Sequence, residues 1–165
     1  GIVHSKKGEY DKALEYYDKS LKIADEENDK VHVGSLLYKI GIAHYYKSEY
    51  NKTTEYLEKS LAIHKEIGHK ELEFYRTIYL YLSYRQLNRD YNEKHLYSLI
   101  KDAKNLKFRI NFKLYQLLDD TSYLDTAYKQ VQDTESKMEK ELAKKFLSYP
   151  IPKAIIEEYN KVFKK

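Results

Sequence analysis

The chain has 165 residues, 42% hydrophobic and 34% charged, with a formal net charge of +4. That balance supports a folded region with its own core and argues against a disordered chain; the near-neutral, mixed surface is not the basic field of a dedicated nucleic-acid binder, so no nucleic acid is expected. Without cysteine neither a disulfide framework nor a thiolate metal site can form, which makes a cytoplasmic setting the expectation, and no apolar run reaches the roughly 18 residues of a membrane span.

Five glycines and two prolines, among plentiful Glu, Lys, Leu and 19 tyrosines, predict long helices joined by short turns. In chain order, KGEY at 7–10 reads as a polar turn opening a helix. On that helix Tyr10, Ala13, Leu14, Tyr17, Ser20, Leu21 and Ala24 recur at i, i+3, i+4, i+7 and share one face. Val33, Leu37, Ile40, Gly41 and His44 form the face of a second helix. KSEY at 47–50 is then another turn, and Tyr50, Thr53, Thr54, Leu57, Ser60 and Leu61 repeat the first face forty residues on. Glu9–Glu26 and Glu49–Glu66 share ten of eighteen residues. A looser third pair follows, with Ile78, Tyr81, Leu82, Ser83 and Tyr84 on its first helix, the turn QLNRDY, and a second helix from near Tyr91. FRINFKLYQLLDDTSYLDTAYKQVQ reads as a fourth, degenerate hairpin that turns at 119–122 and points Leu124, Ala127 and Val131 inward, with Ser122 and Asp125 at capping-box spacing. Pro150 and Pro152 end one helix and permit a last one from about Lys153.

A helical hairpin cannot bury its apolar face alone, so such units stack on one another. The predicted fold is all-α, a right-handed superhelical solenoid of antiparallel helix pairs with three to four repeats and C-terminal capping helices. As one domain over 1–165 it divides into a partial repeat at 1–30, repeats at 31–68 and 69–106, and a degenerate repeat with its cap at 107–165.

GIAHYYKSEYNKTTEYLEKSLAI resembles the tetratricopeptide repeat. Leu37, Ile40, Gly41 and His44 fill that family's helix A places, with Gly1 and His4, then Tyr81 and Tyr84, as counterparts. Tyr10, Ala13 and Ser20, and Tyr50, Thr53 and Ser60, fill those of helix B. The family's spacing is about 34 residues, whereas this chain uses forty and lacks the closing Pro after Ile23 and Ile63. The longer form is similar to the repeats of bacterial signalling proteins and kinesin light chains, and the last 60 or so residues resemble the closing segment of repeat regions attached to bacterial signalling ATPases and nucleotide cyclases. Gly1 aligns with Gly41, inside helix A, so the chain reads as the C-terminal piece of something longer, with an upstream domain expected in the parent chain.

The resemblance implies a non-catalytic interaction or sensor scaffold for a protein or peptide, cradled by helix A. Carried over residue by residue, the binding positions are Ser35, Tyr38, Ile42, Tyr45 and Tyr46, then Tyr75, Ile78, Leu82, Arg85 and Gln86, with Ile2, Ser5 and Lys6 left from the first unit. Tyr and Arg suit that role, since rigid rings and planar cations dominate binding hot spots. Members that clamp a peptide carboxylate carry Lys and Asn where Tyr38 and Ile42 stand, which argues against chaperone-tail recognition. Alternative readings are a self-association module forming a homo-oligomer, and the regulatory part of a peptide-sensing phosphatase-like regulator.

For chemistry the sequence offers no Gly-rich phosphate loop, no G-x-S-x-G and no H-E-x-x-H, so no enzyme activity and no cofactor are expected. His4 and His44 recur at one repeat position and read as packing residues; His64 and His69 are wrongly spaced for two ligands on one face, so no metal is expected. Glu26-Glu27, Glu71 with Glu73, and Asp119-Asp120 read as solvated acids. Lys101, Lys104, Lys107, Arg109 and Lys113 read as a solvated basic face.

Overall fold

The computed structural model of the protein describes residues 7–68 and 72–164. The expectations placed on Gly1, Ile2, His4, Ser5, Lys6, His69 and Glu71 fall outside them. The described residues form helices and no strand, so the chain is all-α as expected, and they divide into two compact units, 7–103 and 104–164.

The first unit runs α1 (Lys7–Glu26), α2 (Lys30–Tyr46), α3 (Tyr50–Glu66), α4 (Glu73–Gln86) and α5 (Glu93–Asp102). Each helix packs on the next, and α2 also touches α4, which is how stacked hairpins place like helices side by side. The turns keep their own beat: Asn28, Ser48, Gly68 and Asn88, twenty residues apart, all have positive φ. After α1, α2 and α4, the next amide bonds back five residues, Asp29 N–H to the Ala24 carbonyl, Glu49 to His44 and Arg89 to Tyr84, each at 2.9 Å. This left-handed C-terminal closure satisfies carbonyls that the helix end would otherwise strand. At φ 77°, Gly68 is the residue for which the conformation is least strained.

KGEY at 7–10 differs from expectation. These residues are the first turn of α1, whereas KSEY keeps a turn at Ser48. The helical face of α3 is as read: Thr53, Thr54, Leu57 and Ser60 are buried, and Leu37, Ile40, Gly41 and His44 of α2 are buried beside it. In the third repeat α5 begins at Glu93, two residues later than Tyr91, because Asn92 caps it by accepting from the His95 amide.

The second unit comprises α6 (Phe108–Leu118), α7 (Thr121–Ser136), α8 (Lys140–Leu147) and α9 (Pro150–Phe163). α6 and α7 make a hairpin, and α9 lies on α7 with α8 touching both. Leu124, Ala127 and Val131 are fully buried with Phe112, Phe146 and Ile155, and the Tyr128 and Tyr159 rings stack 3.7 Å apart. The cap of α7 is Asp120, which accepts from the Ser122 amide; Ser122 is itself helical. Pro150 starts α9 at its first turn, where a missing N–H removes no helical bond, so the helix opens three residues before Lys153.

Candidate functional site

α2 contains no acidic residue in KVHVGSLLYKIGIAHYY, and its side-by-side contact with α4 brings their tyrosines together. The Tyr45 ring meets Tyr46 (5.6 Å between centroids), Tyr50 (5.8 Å) and Tyr79 (5.2 Å) edge to face, the preferred geometry for aromatic quadrupoles. Tyr46 stacks on Tyr10 of α1 at 5.8 Å, and its hydroxyl lies 3.3 Å from that of Tyr79. Burial raises the pKa of Tyr45 and Tyr79, so both stay neutral hydroxyls at physiological pH. Tyr38 lies beneath the Arg76 guanidinium, 4.6 Å from its ring centre. Burial pushes the Tyr38 hydroxyl up to about 12, against the opposing pull of the Arg76 charge.

Of the ten anticipated residues, Tyr46 and Tyr75 offer the most aromatic surface to solvent, at 41% and 44% exposure. Arg85 and Gln86 are exposed as well, and Ser35, Tyr38, Ile42 and Tyr45 are half-buried. Ile78 and Leu82 are buried, at 0% and 4%, and so give a ligand little or no surface.

A model of the tetratricopeptide repeat family matches residues 1–66. That match supports assigning this part of the chain to the tetratricopeptide repeat family. Its repeats generally mediate protein–protein contacts and are typically non-catalytic interaction modules. Searches of the curated proteins and of the solved structures find no match.

Where α2, α3 and α4 meet lies a polar lock that sequence reasoning missed. Ser60 Oγ donates to the Gly34 carbonyl at 2.6 Å, and Arg76 Nε donates to Ser60 Oγ at 2.9 Å. Arg76 also reaches the Leu72 carbonyl (2.9 Å) and His64 Nε2 (3.3 Å), while His64 Nδ1 faces the Ser60 carbonyl at 2.9 Å. A carbonyl only accepts, so Nδ1 carries the proton and Nε2 accepts from the guanidinium. Arg76 is 3% and His64 1% exposed. A Cβ on Gly34 would lie 2.3 Å from His64 Cε1, so glycine at this position is what admits the imidazole. The sequence signal for Arg76 was its register, forty residues after the core residue Leu36.

His44 is a packing residue as read. It is buried, stacks on Tyr56 at 5.4 Å and bonds Glu49 through Nδ1 at 2.7 Å. The basic stretch needs a correction. Lys101, Lys104, Lys107 and Arg109 are exposed, but Lys113 is buried, and burial pulls its ammonium down to about 8. Among the described residues no group of three or more His, Cys, Asp or Glu is gathered to hold a metal ion, and no helix is long and apolar enough to cross a membrane. In the second unit an open cleft of about 760 Å³ lies beside α7, where Lys129 bonds Asp125 and Gln130 donates to the Leu106 carbonyl.

Proposed function

We propose that the α2–α4 face captures a peptide or partner helix, and that the chain serves as a non-catalytic scaffold or sensor within a larger, cytoplasmic, bacterial-type signalling protein. The observation that carries this is the cluster of Tyr45, Tyr46 and Tyr79 with the Tyr46 ring exposed, and a second exposed ring, Tyr75, on the same helix as Tyr79. Tyr45 and Tyr79 brace Tyr46, so that ring is held before a ligand arrives, which lowers the entropy lost on binding. The resemblance of the forty-residue spacing to the repeats of bacterial signalling proteins supports the setting, and the absence of cysteine from the sequence accords with a reducing compartment.

Tyr38 and Tyr45 are poor probes, since each is packed against a neighbour and its loss disturbs the stack. The test selects ligands for the whole chain from a displayed peptide library and then measures them against the Tyr46→Ala, Tyr75→Ala, Arg85→Ala triple variant. Selected peptides are expected to bind the variant at least tenfold more weakly, with helix content unchanged; equal affinity for both proteins refutes the face assignment.

A further inference from the structure

The third repeat departs from the second where its helices would meet most closely. A Cβ on Gly41 would lie 2.9 Å from Leu57 Cδ2, so glycine there lets α3 press on α2. Forty residues on stands Tyr81, which is buried, and no helix can come so near the backbone of a tyrosine. The chain entering α5 instead lays Tyr91 on the Tyr81 ring at 4.9 Å, and His95 Nε2 reaches Glu73 Oε1 of α4 at 3.1 Å. Beside Tyr81 a cleft of about 290 Å³ opens between α3, α4 and α5.

One polar group in this cleft is left over. The other buried hydroxyls of the first unit all donate to a carbonyl: Thr53 to Glu49, Thr54 to Asn51, Ser60 to Gly34 and Ser83 to Tyr79. Thr77, 2% exposed, lines the cleft, and its hydroxyl bonds none of the described residues. A buried hydroxyl so placed calls for a bound water or ligand. Around it the walls are mixed. Leu61, Ala62 and Leu80 are apolar, whereas the charges come in both signs: the Glu73 carboxylate with the His95 ring on one of its oxygens, the exposed Lys65, and the Arg76 guanidinium behind His64. The His64 nitrogens are already engaged by the Ser60 carbonyl and Arg76.

We propose that this cleft binds a free α-amino acid with an aliphatic side chain, of the size of leucine. Its volume is the share of about ten waters, and leucine has nearly that many non-hydrogen atoms. A simple anion would face Glu73 and a simple cation would face Lys65 and Arg76, but a zwitterion meets both signs. The ligand's ammonium pairs with the Glu73 oxygen that His95 leaves, and its carboxylate accepts from the Thr77 hydroxyl and from Lys65. The side chain lies on Leu61, Ala62 and Leu80 and removes that wall from water.

The probes are free L-leucine, N-acetyl-L-leucine, L-leucinol and glycine, each titrated into the whole chain by isothermal calorimetry. L-Leucine is expected to saturate the protein with a dissociation constant below about 1 mM. N-acetyl-L-leucine lacks the ammonium, L-leucinol the carboxylate and glycine the side chain, and each should bind at least about tenfold more weakly. Thr77→Val keeps the shape of the side chain and removes the hydroxyl, and Lys65→Gln changes an exposed position. Both should weaken L-leucine at least about tenfold, with the melting temperature of the ligand-free protein held or, for Thr77→Val, raised. No saturation by L-leucine leaves the cleft to water alone and overturns the proposal. An analogue that binds as tightly as L-leucine, or unchanged affinity in either variant, overturns it too.

Discussion

α1 and α3 share ten of eighteen residues between Glu9–Glu26 and Glu49–Glu66, yet Ser60 is fully buried and Ser20 exposed. What differs is the set of unshared positions and the neighbours that reach them. Thr53, Leu57 and His64 sit between two helices and are closed to solvent, while Ala13 and Tyr17 remain half-buried. A repeated sequence therefore specifies a helix and a face, and leaves to the neighbouring helices how deeply that face is buried.

Substitutions at paired positions break this comparison most strongly where the copies differ most. Leu57 is fully buried against α2, beside Gly41, so Leu57→Ala should destabilise the first unit by about 3 kcal/mol through lost transfer energy and a residual cavity. Tyr17→Ala, at the equivalent half-buried place, should cost roughly 1 kcal/mol. Urea denaturation followed by circular dichroism measures both; equal losses would mean that the copies are equally packed.

Arg76→Leu installs beside α3 the residue that the preceding repeat has beside α1, at Leu36. It strips donors from His64 and from the Leu72 carbonyl, and removes the cation over Tyr38. The expected loss is about 2 kcal/mol, chiefly the unmet polar groups left behind. If stability is unchanged, the lock contributes nothing and the crossing is held by its apolar contacts alone.

The smallest effect is one of pH. Burial works against ionisation of Glu49, but bonds from the His44 ring, Lys47 and Lys52 overcome it and hold the carboxyl at about 2. An unfolded glutamate titrates near 4.5, so the unfolded chain takes up this proton first. Glu49 thus contributes stability above about pH 4.5, and the contribution is lost as pH falls towards 2. Glu49→Gln should flatten the acid limb of a melting-temperature profile over that window; an unaltered limb would show that the His44–Glu49 contact does not hold in solution.

Much of this was legible in the sequence. The forty-residue repeat and the i, i+3, i+4 pattern located the helices of the first unit and the buried faces of α2 and α3, because apolar periodicity reports the face a helix hides. Of the positions carried over from the family, Tyr46 and Tyr75 lie exposed, whereas Ile78 and Leu82 lie buried. Inheritance of positions from a family fixes direction on a helix and not depth, and depth depends on the side chain opposite. Arg76 was hidden for the same reason: nothing local distinguishes a solvated arginine from one that donates to Ser60, His64 and the Leu72 carbonyl. Lys113 misled in the same way, as one cation of a basic run that turned out to be buried. At Pro150 proline was read as a stop, though its lack of an N–H makes it equally a start.

The central claim is that the α2–α3 crossing is closed by a glycine admitting an imidazole, and the most direct measurement is a double-mutant cycle on Gly34 and His64. In the native protein Gly34→Ala should cost about 1–3 kcal/mol, because the new Cβ meets a ring pinned by Ser60 and Arg76. In a His64→Ala background the same change should cost nothing, or stabilise by up to about 1 kcal/mol through alanine's helix propensity. The same cost in both backgrounds would contradict the account.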